Sequence, residues 1–494
     1  MFTEIIFGLV SLALSVVIYL KWKFSYWQRR KVPYLDPAIP WGTDENPFDP
    51  KRTFHDTIKD NYDELKRKGH KFGGLYLGTR PALLLVDLDV TKKIINKDFQ
   101  FFSGHGLYVS KNRPALFHNL FSMDGQEWKN SRTQLTPTFT SGKMKTMFPT
   151  ILNCVSPMVN HINGLDREGK VLNIKEIVAC YSTDVIGSCG FGVECNSFEK
   201  PDAEFRKYGK LMLGGAPPNL TLKMLFHKCL MEFGLKKHNS IEAMMNFFDG
   251  TFKSIFKYRQ ENEVKRNDFV ELLMEMQRKD PSVTVDQMAA HSFMIFLAGF
   301  ETSATTLTFC LFELAFNRDI QQKAREDIKN VMNKHNGQLT YDGIMEMKYL
   351  QMVIDETLRK HPPGTVLNRL CNTDYKIEDT DIVIEKDTLV LVSVLGIHRD
   401  PELYPNPEKF DPERFNEENK AGRHQYAYVP FSEGPRLCIG MRFAVMQIKI
   451  ALSYLLTNFE FTPDPSMPYK MTYTNSVTLG FKDNVLLNVK RLSE

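Results

Sequence analysis

The apolar positions change rhythm along the chain, and each rhythm predicts an element. From Ile5 to Leu20 the sequence is apolar almost throughout, broken only by Ser11, Ser15 and Tyr19. With Phe2 and Trp22 at its ends it reads as a helix of about 20 residues, the length that spans a bilayer. Glu4 precedes the span, and Lys21, Lys23, Arg29, Arg30 and Lys31 follow it. A cleaved leader would carry its positive charge in front and a small-residue cleavage site behind. Residues 1–22 are therefore expected to remain as a transmembrane anchor, with the basic flank on the cytosolic side. Pro33, Pro37 and Pro40 predict a stiff, non-helical link over 23–41. The body then runs over 42–494.

Within the body, Gly74–Leu77 and Ala82–Val86 read as short strands, and helical periodicity dominates from Trp128 to about Lys360. Strand-like alternation returns at Asp381–Val394 and near the C-terminus. Proline and acidic residues between Asp400 and Phe415 predict an irregular meander. The expected fold is mainly α, a single domain with a small β-rich part contributed by both ends. Pro217-Pro218 breaks two helices. Beside it Leu220, Leu222, Met224, Leu225 and Phe226, with Lys223 and Lys228, suit either core or a second membrane contact. Met288–Phe316 reads as one long apolar helix. Asp286, His291, Glu301 and Glu313 interrupt it, which disfavours a second span.

Composition adds limits. The 494 residues are 43% hydrophobic and 25% charged, enough for a large core. A net charge of +4 is too weak to argue for nucleic acid. The eight cysteines form no Cys-x-x-Cys pair and no zinc spacing, and they fit a reducing compartment. A cytosolic body would leave the sequon at Asn219 unused.

The candidate chemistry centres on Phe431-Ser432-Glu433-Gly434-Pro435-Arg436-Leu437-Cys438-Ile439-Gly440. A glycine-punctuated loop holds one cysteine beside a fixed cation and before an apolar helix. A helix N-terminus and a cation both favour thiolate, and a lone thiolate with one open side suits an axial ligand to haem iron. Phe431 can shield the sulfur, Gly434 permits a tight turn, Gly440 allows close approach to a flat cofactor, and Arg436 can reach a propionate. An isolated cysteine in such a loop is otherwise a buried structural residue. In the long helix, Ala298-Gly299-Phe300-Glu301-Thr302-Ser303 sets an acid and an alcohol in apolar surroundings. Such an acid needs a partner or a function; a kinked core helix with Thr302 bonded back one turn is the alternative. Glu356 and Arg359, three apart, share a helical face, either as a solvated pair or buried. Trp128 and Arg132, four apart, present an indole N–H and a guanidinium suited to carboxylates.

The cysteine loop closely resembles the haem-binding loop of the cytochrome P-450 family of haem-thiolate monooxygenases. The segment Trp128 to Met147, through Leu135-Thr136-Pro137-Thr138-Phe139-Thr140-Ser141-Gly142, is similar to insect microsomal members of the xenobiotic-metabolising clan. The resemblance implies that Cys438 ligates the iron of haem b. It implies that Gly299 makes room for dioxygen while Glu301 and Thr302 relay protons. It joins buried Glu356 and Arg359 to Arg414 of the meander as a scaffold, and gives the propionates Trp128, Arg132, Arg369 and Arg436. Related insect enzymes carry Asp-Arg-Gly where this chain has Gly104-His105-Gly106, so His105 is the substitute propionate donor. By position the substrate pocket takes Tyr108, Val109, Phe117, Leu120, Phe296, Ala298, Val366, Leu367, Val477 and Thr478. Lys129, Lys143, Lys145 and Arg442 form the expected docking patch for NADPH–cytochrome P-450 reductase, with cytochrome b5 a further partner. The implied function is oxidation of lipophilic molecules such as plant toxins or insecticides at the cytosolic face of the endoplasmic reticulum membrane. Its rivals are a haem-thiolate isomerase and a non-enzymatic haem or lipophile binder.

Overall fold

The computed structural model of the chain describes residues 2–43, 52–106, 115–213 and 239–492. The Pro217-Pro218 break, the apolar run from Leu220 to Phe226, the Asn219 sequon, Cys229, Tyr108 and Val109 lie outside the described residues.

The helix expected as an anchor covers Phe2–Phe24, with most of its side chains exposed and only Leu20 and Phe24 buried. The long helix covers Val285–Phe316. Thr284 and Gln287 cap it reciprocally: Thr284 Oγ1 accepts from Gln287 N at 3.2 Å, and Gln287 Oε1 accepts from Thr284 N at 3.0 Å. That capping box satisfies two backbone donors at its start. Most of its apolar surface is packed in protein, so it is a core helix. The helix Ile174–Ile186 runs against it, where the Ser182 hydroxyl donates to Phe300 O at 2.7 Å.

The sheets are small. Strands β1 (Phe72–Leu77), β2 (Arg80–Leu85), β5 (Leu389–Ser393) and β4 (Val366–Leu370) form one sheet in the order β1-β2-β5-β4. The β2–β5 pair is parallel and the other two are antiparallel. The last strands, β6 (Phe459–Pro463) and β7 (Leu486–Arg491), pair with each other, and β7 also pairs with β3 (Leu172–Asn173), in a second sheet. Thus both ends of the body supply strands around a helical core. One apolar cluster surrounds the long helix and the C-terminal helix Met441–Asn458, and another lies under the first sheet.

The segment expected as a non-helical link differs. The anchor helix runs on to Phe24, and a short helix follows at Tyr26–Arg29. Trp27 is 1% exposed, and its indole Nε1 donates to Leu75 O at 2.9 Å. Prolines constrain the chain after this point, but an apolar side chain that can be buried before them is free to dock.

Candidate haem-thiolate site

The cysteine loop is shaped by its own backbone. Ser432 and Gly434 have positive φ, +65° and +72°. A Cβ on Gly434 would stand 2.5 Å from Ile95 O, so only glycine fits this turn. Cys438 N donates to Phe431 O at 2.9 Å, which closes the loop. Gly440 caps the C-terminal helix with ordinary φ of −87°. A Cβ there would meet nothing within 4 Å, so space lies open above it.

Among the described cysteines Cys438 is the one that is exposed, the others being buried. Protein nevertheless encloses it, and burial pushes its thiol upward, opposed by the Gly440 and Met441 N–H groups and the Arg132 guanidinium. The sulfur therefore opens on an internal space, at the positive end of a helix, near a fixed cation. The first turn of that helix and the cation both favour the thiolate that a ligated metal would complete.

Three guanidiniums gather nearby. Arg369 is 2% exposed, donates to Asn368 O at 2.9 Å and Ser432 Oγ at 3.1 Å, and leaves its buried Nε without a partner. Burial holds it down at about 10. Arg436 donates to the carbonyls of Ser103 and Met123, at 2.8 and 2.7 Å, and to Leu120 O at 3.2 Å. Burial brings it to about 9, with Asp124 opposing and Arg369 and Arg132 adding repulsion. Burial also lowers Arg132. Asp124, 3.2 Å from Arg436, is the carboxylate that faces this cluster. Three cations against one acid leave a surplus of positive charge that suits a dianionic group. Trp128 completes the wall, 5% exposed, with the Arg436 guanidinium carbon 4.3 Å from its ring centre. An enclosed cysteine sulfur, open space above Gly440 and this charge surplus fit haem with its two propionates.

His105 does not fit the role of propionate donor. Its Nδ1 lies 2.8 Å from Phe121 O, a pure acceptor, so Nδ1 carries the proton and Nε2 is left as an acceptor. Burial and the nearby Arg436 lower its pKa to about 3, which keeps the ring neutral. A carboxylate would find no donor there. Asp124, which sequence reading passed over, also accepts from His105 N at 3.3 Å. Its signal was its place at the N-cap of the helix Gly125–Leu135.

The three residues read as a scaffold lie close together. Arg359 Nε and Nη2 donate to Glu356 Oε2 and Oε1 at 2.7 and 2.9 Å, and both side chains are 0% exposed. Arg359 also donates to His398 O and Pro407 O, each at 2.8 Å. Arg414 Nε stands 3.5 Å from Glu356 Oε1, too poorly aimed for a hydrogen bond, while its Nη2 donates to Pro405 O at 2.7 Å. Its charge supports the pair and its bonds hold the meander. His398 was not foreseen. Its buried ring accepts from Val429 N at 2.9 Å, two residues before Phe431. The Glu356–Arg359 pair is thereby tied to the cysteine loop.

On the long helix, Ala298 is exposed and Thr302 partly so, although both lie deep in the chain's fold. They share one face, four residues apart, and open on internal space. Thr302 Oγ1 donates to Ala298 O at 2.6 Å, the back-bonded geometry weighed above. The hydroxyl proton is thus committed to the helix, and its lone pairs face outward as acceptors. Burial raises the Glu301 carboxyl above its usual range, with Lys175, Thr305 and Arg206 opposing. Glu301 turns towards Thr305 rather than Thr302, and no hydrogen bond joins the proposed relay pair among the described residues. Gly299 also departs from expectation. A Cβ there would stand 2.6 Å from Ile186 Cδ1, so its bareness admits a neighbouring helix.

The expected pocket residues divide. Phe117 is partly buried and meets Phe293 edge-on at 6.0 Å. Val366 and Leu367 are partly buried on β4. Val477 is 72% exposed, and the turn it occupies is tied to Pro363 O by Leu479 N at 2.9 Å. Thr478 lies in the same turn, partly exposed. Leu120 is 5% exposed, with its carbonyl spent on Arg436. Phe296 is sealed at 1% exposure among Phe191, Phe205 and Phe248, so it supports the wall from behind.

These residues bring one enclosed cysteine and three buried or half-buried arginines to a common internal space. The cytochrome P450 family model matches residues 50–487. The chain is 37% identical over 506 residues to probable cytochrome P450 6a23 of Drosophila melanogaster, covering 99% of this chain and 100% of that protein. It is 37% identical over 495 residues to cytochrome P450 6k1 of Blattella germanica, covering 95% and 94%. Cytochrome P450 6A1 of Musca domestica is 35% identical over 501 residues, covering 99% and 98%. The chain belongs to the cytochrome P450 family. It is a monooxygenase with haem b as cofactor, and its electrons come from NADPH through a reductase.

Proposed function

We propose that this monooxygenase oxidises lipophilic foreign molecules, such as plant toxins or insecticides, at the cytosolic face of the endoplasmic reticulum. The observation that carries the chemistry is the enclosed Cys438 sulfur at a helix N-terminus, beside an unbalanced cluster of arginines. Bound there, haem supplies the iron at which dioxygen is activated. Cys438 would ligate its iron. Arg132, Arg369 and Arg436 would neutralise its carboxylates, and the Trp128 indole N–H would donate to one of them. Thr302 Oγ1 accepts a hydrogen bond in the internal space and steadies water there, and Glu301, its proton affinity raised by burial, feeds protons through that water. The apolar walls exclude bulk solvent and select apolar ligands. An isomerase would need no such proton delivery.

The anchor helix and its basic flank support the membrane placement. On the proposed docking face Lys143 pairs with Glu275 at 2.9 Å and Lys145 with Asp342 at 2.7 Å, so their charges are partly spent. Lys129 and Arg442 are exposed and carry the steering of an acidic reductase, and of cytochrome b5. Turnover of a panel of plant toxins and insecticides, with reductase and NADPH, tests the reading. Oxygenated products supports it; binding spectra without products contradicts it.

A further inference from the structure

The base of the anchor helix is fastened to the body at several independent points. Leu20 and Phe24 are buried at 8% and 6%, and Phe24 meets the Tyr76 ring edge-on at 5.2 Å. Tyr76 OH donates to Phe24 O at 2.6 Å and accepts from Trp27 N at 3.2 Å. The Trp27 ring fills the place where a side chain on Gly74 would stand: a Cβ there would lie 2.3 Å from Trp27 Cγ. Gly74 N donates to Pro33 O at 2.7 Å, and Leu35 N to Gly74 O at 3.1 Å. Arg30 grips Glu385 with Nε at 2.9 Å and Nη2 at 2.8 Å, and Tyr26 OH donates to the same carboxylate at 2.9 Å. A bidentate ion pair fixes orientation as well as distance.

Around this mount sits a collar of cations. Lys21, Lys23, Arg29 and Lys31 form no ion pair among the described residues. Lys23 Nζ lies 5.8 Å from the Tyr19 ring centre and 5.6 Å from that of Trp22, and the Arg29 guanidinium carbon lies 5.2 Å from Trp22. Trp22 is 57% exposed and Tyr19 53%. Amphipathic rings of this kind sit at headgroup level. Four cations without an ion pair among the described residues, two of them stacked on these rings, complement lipid phosphates and carboxylates.

We propose that this collar binds anionic phospholipid headgroups, and that the Trp27–Gly74 plug and the Arg30–Glu385 pair transmit that contact to the body, so that lipid charge sets the attitude of the catalytic domain on the bilayer. The inference rests on the anchoring reading of the first helix. Each collar charge contributes roughly a fivefold preference for anionic over neutral lipid, the equivalent of about 1 kcal/mol per cation. Salt weakens it, since the collar is exposed.

The test uses full-length haem-loaded protein in phosphatidylcholine vesicles with brominated phosphatidylserine or, at equal fraction, brominated phosphatidylcholine. Tryptophan quenching that is stronger with the brominated serine lipid, and equalised by Trp22→Phe or by Gln at all four collar positions, supports the site. Equal quenching by the two lipids in the unaltered protein overturns it. Loss of the protein from the vesicles on alkaline extraction would instead defeat the anchoring reading itself. The mechanical part is read by linear dichroism of the haem in oriented bilayers. A haem tilt that shifts when phosphatidylserine is added, and stops shifting in Arg30→Ala or Glu385→Ala proteins that keep the selective quenching, supports coupling. A shift that persists unchanged in both variants overturns it.

Discussion

Arg359 and Glu356 form a two-pronged ion pair with both side chains at 0% exposure, and the same guanidinium reaches the carbonyls of His398 and Pro407. Removing one partner leaves a buried charge, which costs about 3–5 kcal/mol. Arg359→Ala and Glu356→Ala are expected to yield protein that accumulates poorly and binds little haem. Expression measured by immunoblot, beside haem content, checks this; normal haem content in either variant contradicts it.

Gly434 holds a positive φ with a carbonyl where its Cβ would go. Gly434→Ala is expected to strain the cysteine loop by about 1–3 kcal/mol. Faster haem loss to a haem-scavenging protein, with helical content unchanged by circular dichroism, is the expected result.

The arginine cluster has more positive charge than its single acid balances. Arg369→Gln and Arg436→Gln are expected to weaken haem retention through lost carboxylate partners. His105→Gln is expected to leave retention unchanged, because the ring offers no donor to a carboxylate. Haem dissociation rates for the three variants separate these roles.

Much of this was written in the chain. The Cys438 loop, the Glu356–Arg359 pair and the long helix are local patterns in which each residue's chemistry depends on near neighbours. Other features were hidden because they depend on distant packing. Nothing near Trp27 shows that it docks under Gly74. The bareness of Gly299 is explained only by Ile186 from another helix. Phe296 has the spacing of a pocket residue, yet three phenylalanines from elsewhere seal it. His398 looks like any histidine until Val429 arrives at its ring.

The buried histidines predict acid lability. Burial lowers His55, His291 and His361 to about 4 and His398 to about 3, against an unfolded value near 6.5. Their folded values lie below the unfolded one, so the unfolded chain binds more protons in this window. Stability is therefore full above about pH 6.5 and falls as pH drops towards 4. Thermal midpoints from pH 7.5 to pH 5 are expected to fall steadily; a flat profile contradicts the neutral assignment.

Thr302 lends its proton to Ala298 O and keeps its lone pairs for the internal space. Thr302→Ala is expected to divert reducing equivalents from product to hydrogen peroxide while leaving haem content intact. Peroxide formed per NADPH consumed measures it, and unchanged coupling removes Thr302 from proton delivery.

The most direct test of the thiolate site is the absorbance of the reduced, carbon monoxide-treated protein. The unaltered chain is expected to show the red-shifted Soret band of thiolate ligation, and Cys438→Ser to lose it. A spectrum typical of imidazole ligation in the unaltered chain, or a red-shifted band that survives in Cys438→Ser, contradicts the account.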